Sequence, residues 1–509
     1  MSYRTKVHHI VKYIIVGIKK IILLQELVRG NATLFRIAVK VKYVCRIFCS
    51  RIGSLADLAV SVASNLYFIE SSLIFGHKSV AAQEGFMFRK IAAFVFVAIA
   101  LGEALAGTAL NTQCTKVNTG GLIEGMNINN PYTVASITKV FTSHWAIARL
   151  GLNYRFPTIV HITPLPNKTF DVHFEGANYP YFDKDMYQFF VGELNRIGVK
   201  HVNKLTYDEN FNYASDVRYD PMLAHGNEDQ NIVQIMKDLR KDSLNINAGL
   251  ARLNAKAMTI ENLKLPASLA LRVNDIRFLE KREFNSATNT VSLYLPSSEL
   301  SRNLKEMNRN SNNYVADRFF RMLSVKENYV DFILTRLLTV HPSEVAIING
   351  SGYPVLVNGS KVYNKASCTA VLEMMSDLRN SVMQAGFNLQ DILPVAGKDT
   401  VEDGNSTVTQ LYGSDVSNGV LLGKTGSVLD TVALAGLIVT ENENLFFQTS
   451  FAVDGPEDRA SAYNKIKSWI TGELIKNKKK SALDQYVPKA FLPFDKNSQL
   501  RKIESNNLR

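Results

Sequence analysis

Neither Cys-x-x-Cys nor His-Glu-x-x-His occurs in the sequence, and no clustered Cys/His set replaces them, so a metal centre has no support. Gly-x-Ser-x-Gly is also missing, which excludes a Ser-His-Asp hydrolase built on a nucleophile elbow. No stretch reaches 18 uncharged apolar residues, so a multi-span membrane protein is out. Basic excess is lacking where a nucleic acid would need it. Residues 1–86 carry 12 basic and 4 acidic groups, whereas residues 107–509 carry 44 and 41, a net of only +3 out of the chain's +12. Core material, by contrast, is plentiful. Hydrophobic residues make up 46% and aromatics 10% of the 509 positions, which rules out a disordered chain and supplies two or more domains.

The four cysteines divide two and two around a targeting segment. Met87-Phe88-Arg89-Lys90 is a short basic start, residues 91–101 are all apolar, and Ala104-Leu105-Ala106 is a small-x-small pattern before Gly107. Residues 87–106 therefore read as a secretory signal peptide. Such signals open a chain, so translation is expected to begin at Met87, with residues 1–86 as upstream or non-native sequence. The other reading of residues 1–86 is a membrane-surface helix carrying Lys6, Lys12, Lys40 and their neighbours. Lys19 and Lys20 interrupt its apolar run at the middle, which forbids spanning. Cys45 and Cys49 precede the signal, and Cys114 and Cys368 follow it. In an oxidising periplasm the second pair forms one disulfide or stays as two buried thiols; sequence leaves both open.

Three short motifs carry the chemistry of the exported body. Ser136-Ile137-Thr138-Lys139 opens a helical pattern in which positions 137, 141, 145 and 148 share an apolar face, and Gly151 stops it. Three residues apart, Ser136 and Lys139 emerge on the same side, so an amine can serve a hydroxyl without histidine. Backbone N–H groups at such a helix start face a developing oxyanion. Ser311-Asn312-Asn313 occupies a bend between two helical patterns, where packed elements aim a hydroxyl and an amide. Lys424-Thr425-Gly426-Ser427 lies on the first of three consecutive antiparallel strands and offers an ammonium and hydroxyls to a carboxylate. The six histidines after the signal lie outside these motifs. His144 falls about two turns past Ser136 on the same helix, which suits a core or surface role.

Singly each motif is cheap, since Ser505-Asn506-Asn507 in the tail repeats the second by chance. In this order the three form the trio of β-lactamases and penicillin-binding proteins. The spacing, 175 residues from Ser136 to Ser311 and 113 from Ser311 to Lys424, resembles the class C low-molecular-mass penicillin-binding proteins of the penicillin-binding protein 4 type. Those are serine D-Ala-D-Ala carboxypeptidases and endopeptidases. Asn349-Gly350-Ser351-Gly352 resembles the family's Asp-Gly-Ser-Gly loop, and Leu393-Pro394-Val395-Ala396-Gly397 its Leu-Pro-Val-Ala-Gly segment. Three departures are visible, one being an insertion short for the form with two added domains. Residues 353–361 intervene between that loop and Tyr363-Asn364, and Leu422-Gly423 stand where the family tends to show an arginine and a small residue.

The resemblance implies an α+β fold: a transpeptidase/β-lactamase-like domain, an antiparallel sheet flanked by helices, over residues 107–152 and 296–475, with an inserted α+β domain at 153–295. Residues 476–509 form a basic tail, mobile or strapped, for which peripheral wall or membrane contact is one role. The resemblance also implies Ser136 as nucleophile, Lys139 as its base and Ser311 as proton relay, with Asn313, Lys424, Thr425 and Ser427 binding substrate. The expected partners are peptidoglycan peptides ending in D-Ala-D-Ala, with β-lactams as covalent inhibitors. No cofactor, metal or nucleic acid is expected. A β-lactamase or esterase shares the trio, but its compact layout does not accommodate the long first gap. A non-catalytic wall-binding module would not need all six motif residues intact.

Overall fold

A computed structural model describes residues 110–503, apart from 118–119, 218–231, 402–403, 414–416, 443, 479–482 and 484. The signal segment, residues 1–86, Cys45 and Cys49 lie outside the described residues, as do Lys479 and Lys480 of the tail. The chain is α+β, and the described residues hold two main sheets.

The first sheet has five antiparallel strands: β1 (Leu110–Val117), β2 (Glu124–Met126), β3 (Leu421–Val428), β4 (Thr431–Ile438) and β5 (Leu445–Ala452), in the spatial order β3-β4-β5-β1-β2. Side chains alternate between its two faces, and both faces are apolar because both are covered. Val432 and Leu434 of β4 pack with Ala462, Ile466 and Ile470 of the long helix Pro456–Lys476, whereas Ala433 and Ala435 belong to the core shared with helix Thr138–Leu150. We label the helices around this sheet α1 (Thr138–Leu150), α2 (Leu300–Asn310), α3 (Asn313–Ser324), α4 (Cys368–Gln384), α5 (Thr407–Tyr412) and α6 (Pro456–Lys476). Cys114 of β1 and Cys368 at the start of α4 are joined in a disulfide across 254 residues, which settles the alternative left open by sequence.

The second sheet has six strands, ordered Arg501–Lys502, Val291–Pro296, Pro157–Pro164, Phe170–Glu175, His201–Tyr207 and Arg272–Phe278. The last three run parallel and are connected through helices, Lys184–Arg196 and then Ile232–Leu244 with Leu250–Glu261, as parallel neighbours require. Asp183 starts the first of these helices by accepting the Met186 N–H at 3.1 Å, and Tyr187, Phe189 and Phe190 bury its apolar face.

The tail's outer strand completes this sheet. Arg501 pairs with Tyr294 and Lys502 with Leu293. Phe494 stacks on Phe189 at 4.3 Å, Phe491 and Leu492 are buried, and Asp495 pairs with Arg155 at 2.8 Å. The described tail is thus strapped down by apolar packing at residues whose sequence surroundings, rich in lysine, advertise solvent.

Candidate active site

Ser136 sits in a single 3-10 turn, Ala135–Ile137, that runs directly into α1. Ala135 is held at φ +47°, a region that L-residues avoid, so its surroundings must enforce it. They do so from two sides. A Cβ on Gly352, itself at φ +78°, would lie 1.9 Å from the Ala135 carbonyl oxygen, and one on Gly426 would lie 2.7 Å from that of Val134. The serine turn is thus clamped between the Gly350-Ser351-Gly352 loop and strand β3.

One turn on, Lys139 is fully buried, and its Nζ donates to Ser136 Oγ at 3.0 Å, Asn313 Oδ1 at 2.6 Å and the Ser351 carbonyl at 2.8 Å. Burial lowers its pKa from 10.5 to about 7, against an upward pull from Asp317. A useful fraction of this amine is therefore neutral near neutral pH, and it lies within reach of the serine proton.

Ser311 caps α2 at φ +55°, and Asn313 begins α3, so the polar triplet forms the interhelical bend expected of it. Asn312 fixes the bend by accepting the Val315 N–H at 3.1 Å and donating to the Val217 carbonyl at 2.7 Å. Lys424 on β3 is also fully buried, and donates to Ser311 Oγ at 2.8 Å and to the Thr425 carbonyl at 2.7 Å. Burial, aided by repulsion from Lys139, holds its pKa well below the ordinary lysine value. Thr425 Oγ1 meets Thr407 Oγ1 at 2.9 Å. Ser427 is exposed and accepts hydrogen bonds from Arg459 and, at 3.4 Å, from Tyr463.

The seven residues singled out from sequence thus fall into three linked groups: Ser136, Lys139 and Asn313; Ser311, Lys424 and Thr425; and Ser427 at the exposed end of β3. Sequence reasoning missed several partners. Asp317, one turn beyond Asn313 on α3, accepts the Gly350 and Ser351 N–H groups at 2.9 and 2.8 Å and thereby fixes the carbonyl that Lys139 uses; burial raises its own pKa. Its spacing from Asn313 was the signal available. Asn364 donates to Thr138 Oγ1 at 3.1 Å and to the Asn349 carbonyl at 2.9 Å, so the loop stays tied to the serine helix. The intervening residues that set this chain apart form an exposed hairpin, Val355–Val357 with Ser360–Val362. His144 is in the core, bonded to Asp377 at 2.6 Å.

A serine hydroxyl paired to a buried, partly neutral amine, with further donors converging from a bend and a strand, is equipped for acyl transfer. Residues 275–472 match the sequence pattern of the D-Ala-D-Ala carboxypeptidase 3 (S13) family. Bd3459, a predatory peptidoglycan endopeptidase from Bdellovibrio bacteriovorus, is similar at 31% identity and a TM-score of 0.71, over 78% of this chain and 100% of that one. Bd0816, a predatory endopeptidase of the same organism, is similar at 29% identity and a TM-score of 0.69, over 77% and 100%. Penicillin-binding protein 4 from Haemophilus influenzae shares the fold at 15% identity and a TM-score of 0.50, over 72% and 97%. Comparison with curated proteins gives no match. Fold and likeness together define a serine-type peptidase. The chain belongs to the D-Ala-D-Ala carboxypeptidase 3 (S13) family.

Proposed function

We propose that this peptidase is a periplasmic D-alanyl-D-alanine carboxypeptidase, with D,D-endopeptidase action on cross-links, that trims peptidoglycan peptides through an acyl-enzyme on Ser136. The observation that carries the reading is the contact of the buried Lys139 amine with Ser136 Oγ at 3.0 Å. Neutral Lys139 takes the Ser136 proton as Oγ attacks the carbonyl of the penultimate D-alanine. The backbone N–H groups of Ser136 and Ser427 receive the oxyanion, and losing one such donor typically costs roughly 10²–10³ in rate. As the C–N bond breaks, the departing amine takes a proton through Ser311, which lies 2.8 Å from Lys424. Asn313 orients a substrate amide, and Lys424, Thr425 and Ser427 bind the carboxylate of the released residue. Water then cleaves the ester and restores Ser136.

Penicillins enter the same path as covalent inhibitors. Bd3459, similar at 30% identity, has been captured acylated by penicillin G, which supports this extension. Placement in the periplasm rests on the signal-like residues 87–106 and on a family that works on the cell wall; among the described residues no helix is long and apolar enough to cross a membrane. The division into a catalytic body, 107–152 with 296–475, and an insertion, 153–295, is supported by the separate six-stranded sheet built mostly from the second span.

Purified peptidoglycan digested with the full chain, followed by chromatography of the muropeptides, checks the proposal. Release of D-alanine from pentapeptides and conversion of cross-linked dimers to monomers are expected. Binding of muropeptides with neither product would contradict it.

A further inference from the structure

Ser427 differs from the other hydroxyls of the site in what approaches it. A serine oxygen has two acceptor positions and one hydrogen to donate. Both acceptor positions are used from one helix: Arg459 Nη1 and Tyr463 OH, one turn apart on α6, each donate to Ser427 Oγ. With both acceptor positions used, the serine hydrogen is free to be donated, and the residue is exposed. The two partners are themselves fixed. Arg459 Nη2 also donates to the Val428 and Leu429 carbonyls at 2.6 and 2.7 Å, so the guanidinium is locked against the end of β3. Tyr463 meets Tyr412 edge-on at 6.3 Å, on the short helix whose first residue, Thr407, holds Thr425.

Thr425 and Ser427 lie two apart on β3, so their side chains share a face. Lys424 Nζ lies 3.4 Å from Thr425 Oγ1. The Thr425 hydroxyl donates to Thr407 Oγ1, so the Ser427 hydroxyl, backed by a guanidinium, is the hydroxyl of this face left to meet an anion. The residue released in either mode of cleavage carries a free α-carboxylate next to the departing nitrogen.

We propose that Arg459 and Tyr463 are positioning residues that set Ser427 as the donor to this carboxylate and so decide the preference for a free acid over a neutral end. The inference rests on the function proposed above. Its test compares a peptide ending in D-Ala-D-Ala with the same peptide carrying a C-terminal amide, using the full chain. Wild type is expected to prefer the free acid. Arg459→Ala is expected to shrink that preference by roughly tenfold, mainly through KM for the free acid, with Arg459→Lys restoring part of it. Tyr463→Phe shrinks it less. Ser427→Ala matches Arg459→Ala, and the double variant is no worse than either, because the two act as one unit. An unchanged preference in Arg459→Ala, with both peptides slowed alike, would overturn the inference, as would effects of Arg459→Ala and Ser427→Ala that multiply. Wild type that hydrolyses neither peptide would instead remove the underlying function, and this inference with it.

Discussion

Lys139 shows how burial and charge compete at one side chain. Removing an ammonium from water disfavours its charged form, and this outweighs the nearby Asp317, leaving the pKa at about 7 instead of 10.5. With Lys139 as the proposed base of Ser136, only its unprotonated form accepts the proton, so acylation is expected to rise with pH through about 7 and to be lost as the pH falls below it. Asp317→Asn keeps an oxygen for the Gly350 and Ser351 N–H groups but removes the charge that raises the lysine. The limb is then expected at lower pH. Second-order rates of penicillin acylation measured across pH 5–9 check both; a limb that stays put or moves upward in Asp317→Asn contradicts this account of the base.

Among the secondary-structure elements, those with strong periodicity were legible in the sequence, and their partners were not. The apolar face at 137, 141 and 145 gave helix α1 and the spacing of Ser136 to Lys139, and the apolar runs after Lys424, broken by the polar turn at 441–444, gave β3 to β5. The 3-10 turn at Ser136 was not legible, because Ala135 carries no left-handed preference and is forced there by Gly352 from another segment. Arg459 was invisible as a site residue for a similar reason. Ala462, Ile466 and Ile470 are the buried residues that seat its helix, but which turn meets β3 depends on packing alone. Cys114 and Cys368 gave no pairing signal either, since 254 residues separate them. Joined, they tie β1 to α4 behind the serine helix. Replacing both by serine is expected to cost roughly 2–5 kcal/mol, read as a lower thermal midpoint, with smaller effects on acylation. A midpoint equal to that of wild type would show that the strand and helix hold together without the bond.

Over the full chain, the cleft draws on segments that sequence keeps far apart: the 135–139 turn, the 311–317 bend and the 424–427 strand. The five-stranded sheet and α1 to α3 converge on it, while the six-stranded sheet, with the tail's outer strand paired to it, packs into the same hydrophobic core. The chain's basic balance lies mostly ahead of residue 87, outside the described residues. What the assembly must do is make one hydroxyl out of many reactive. Incubating the full chain with penicillin G, then determining intact mass and mapping the modified peptide, tests that directly. A single adduct on the peptide containing Ser136, absent from Ser136→Ala, is expected; an adduct on another serine, or one that persists in Ser136→Ala, would contradict the account.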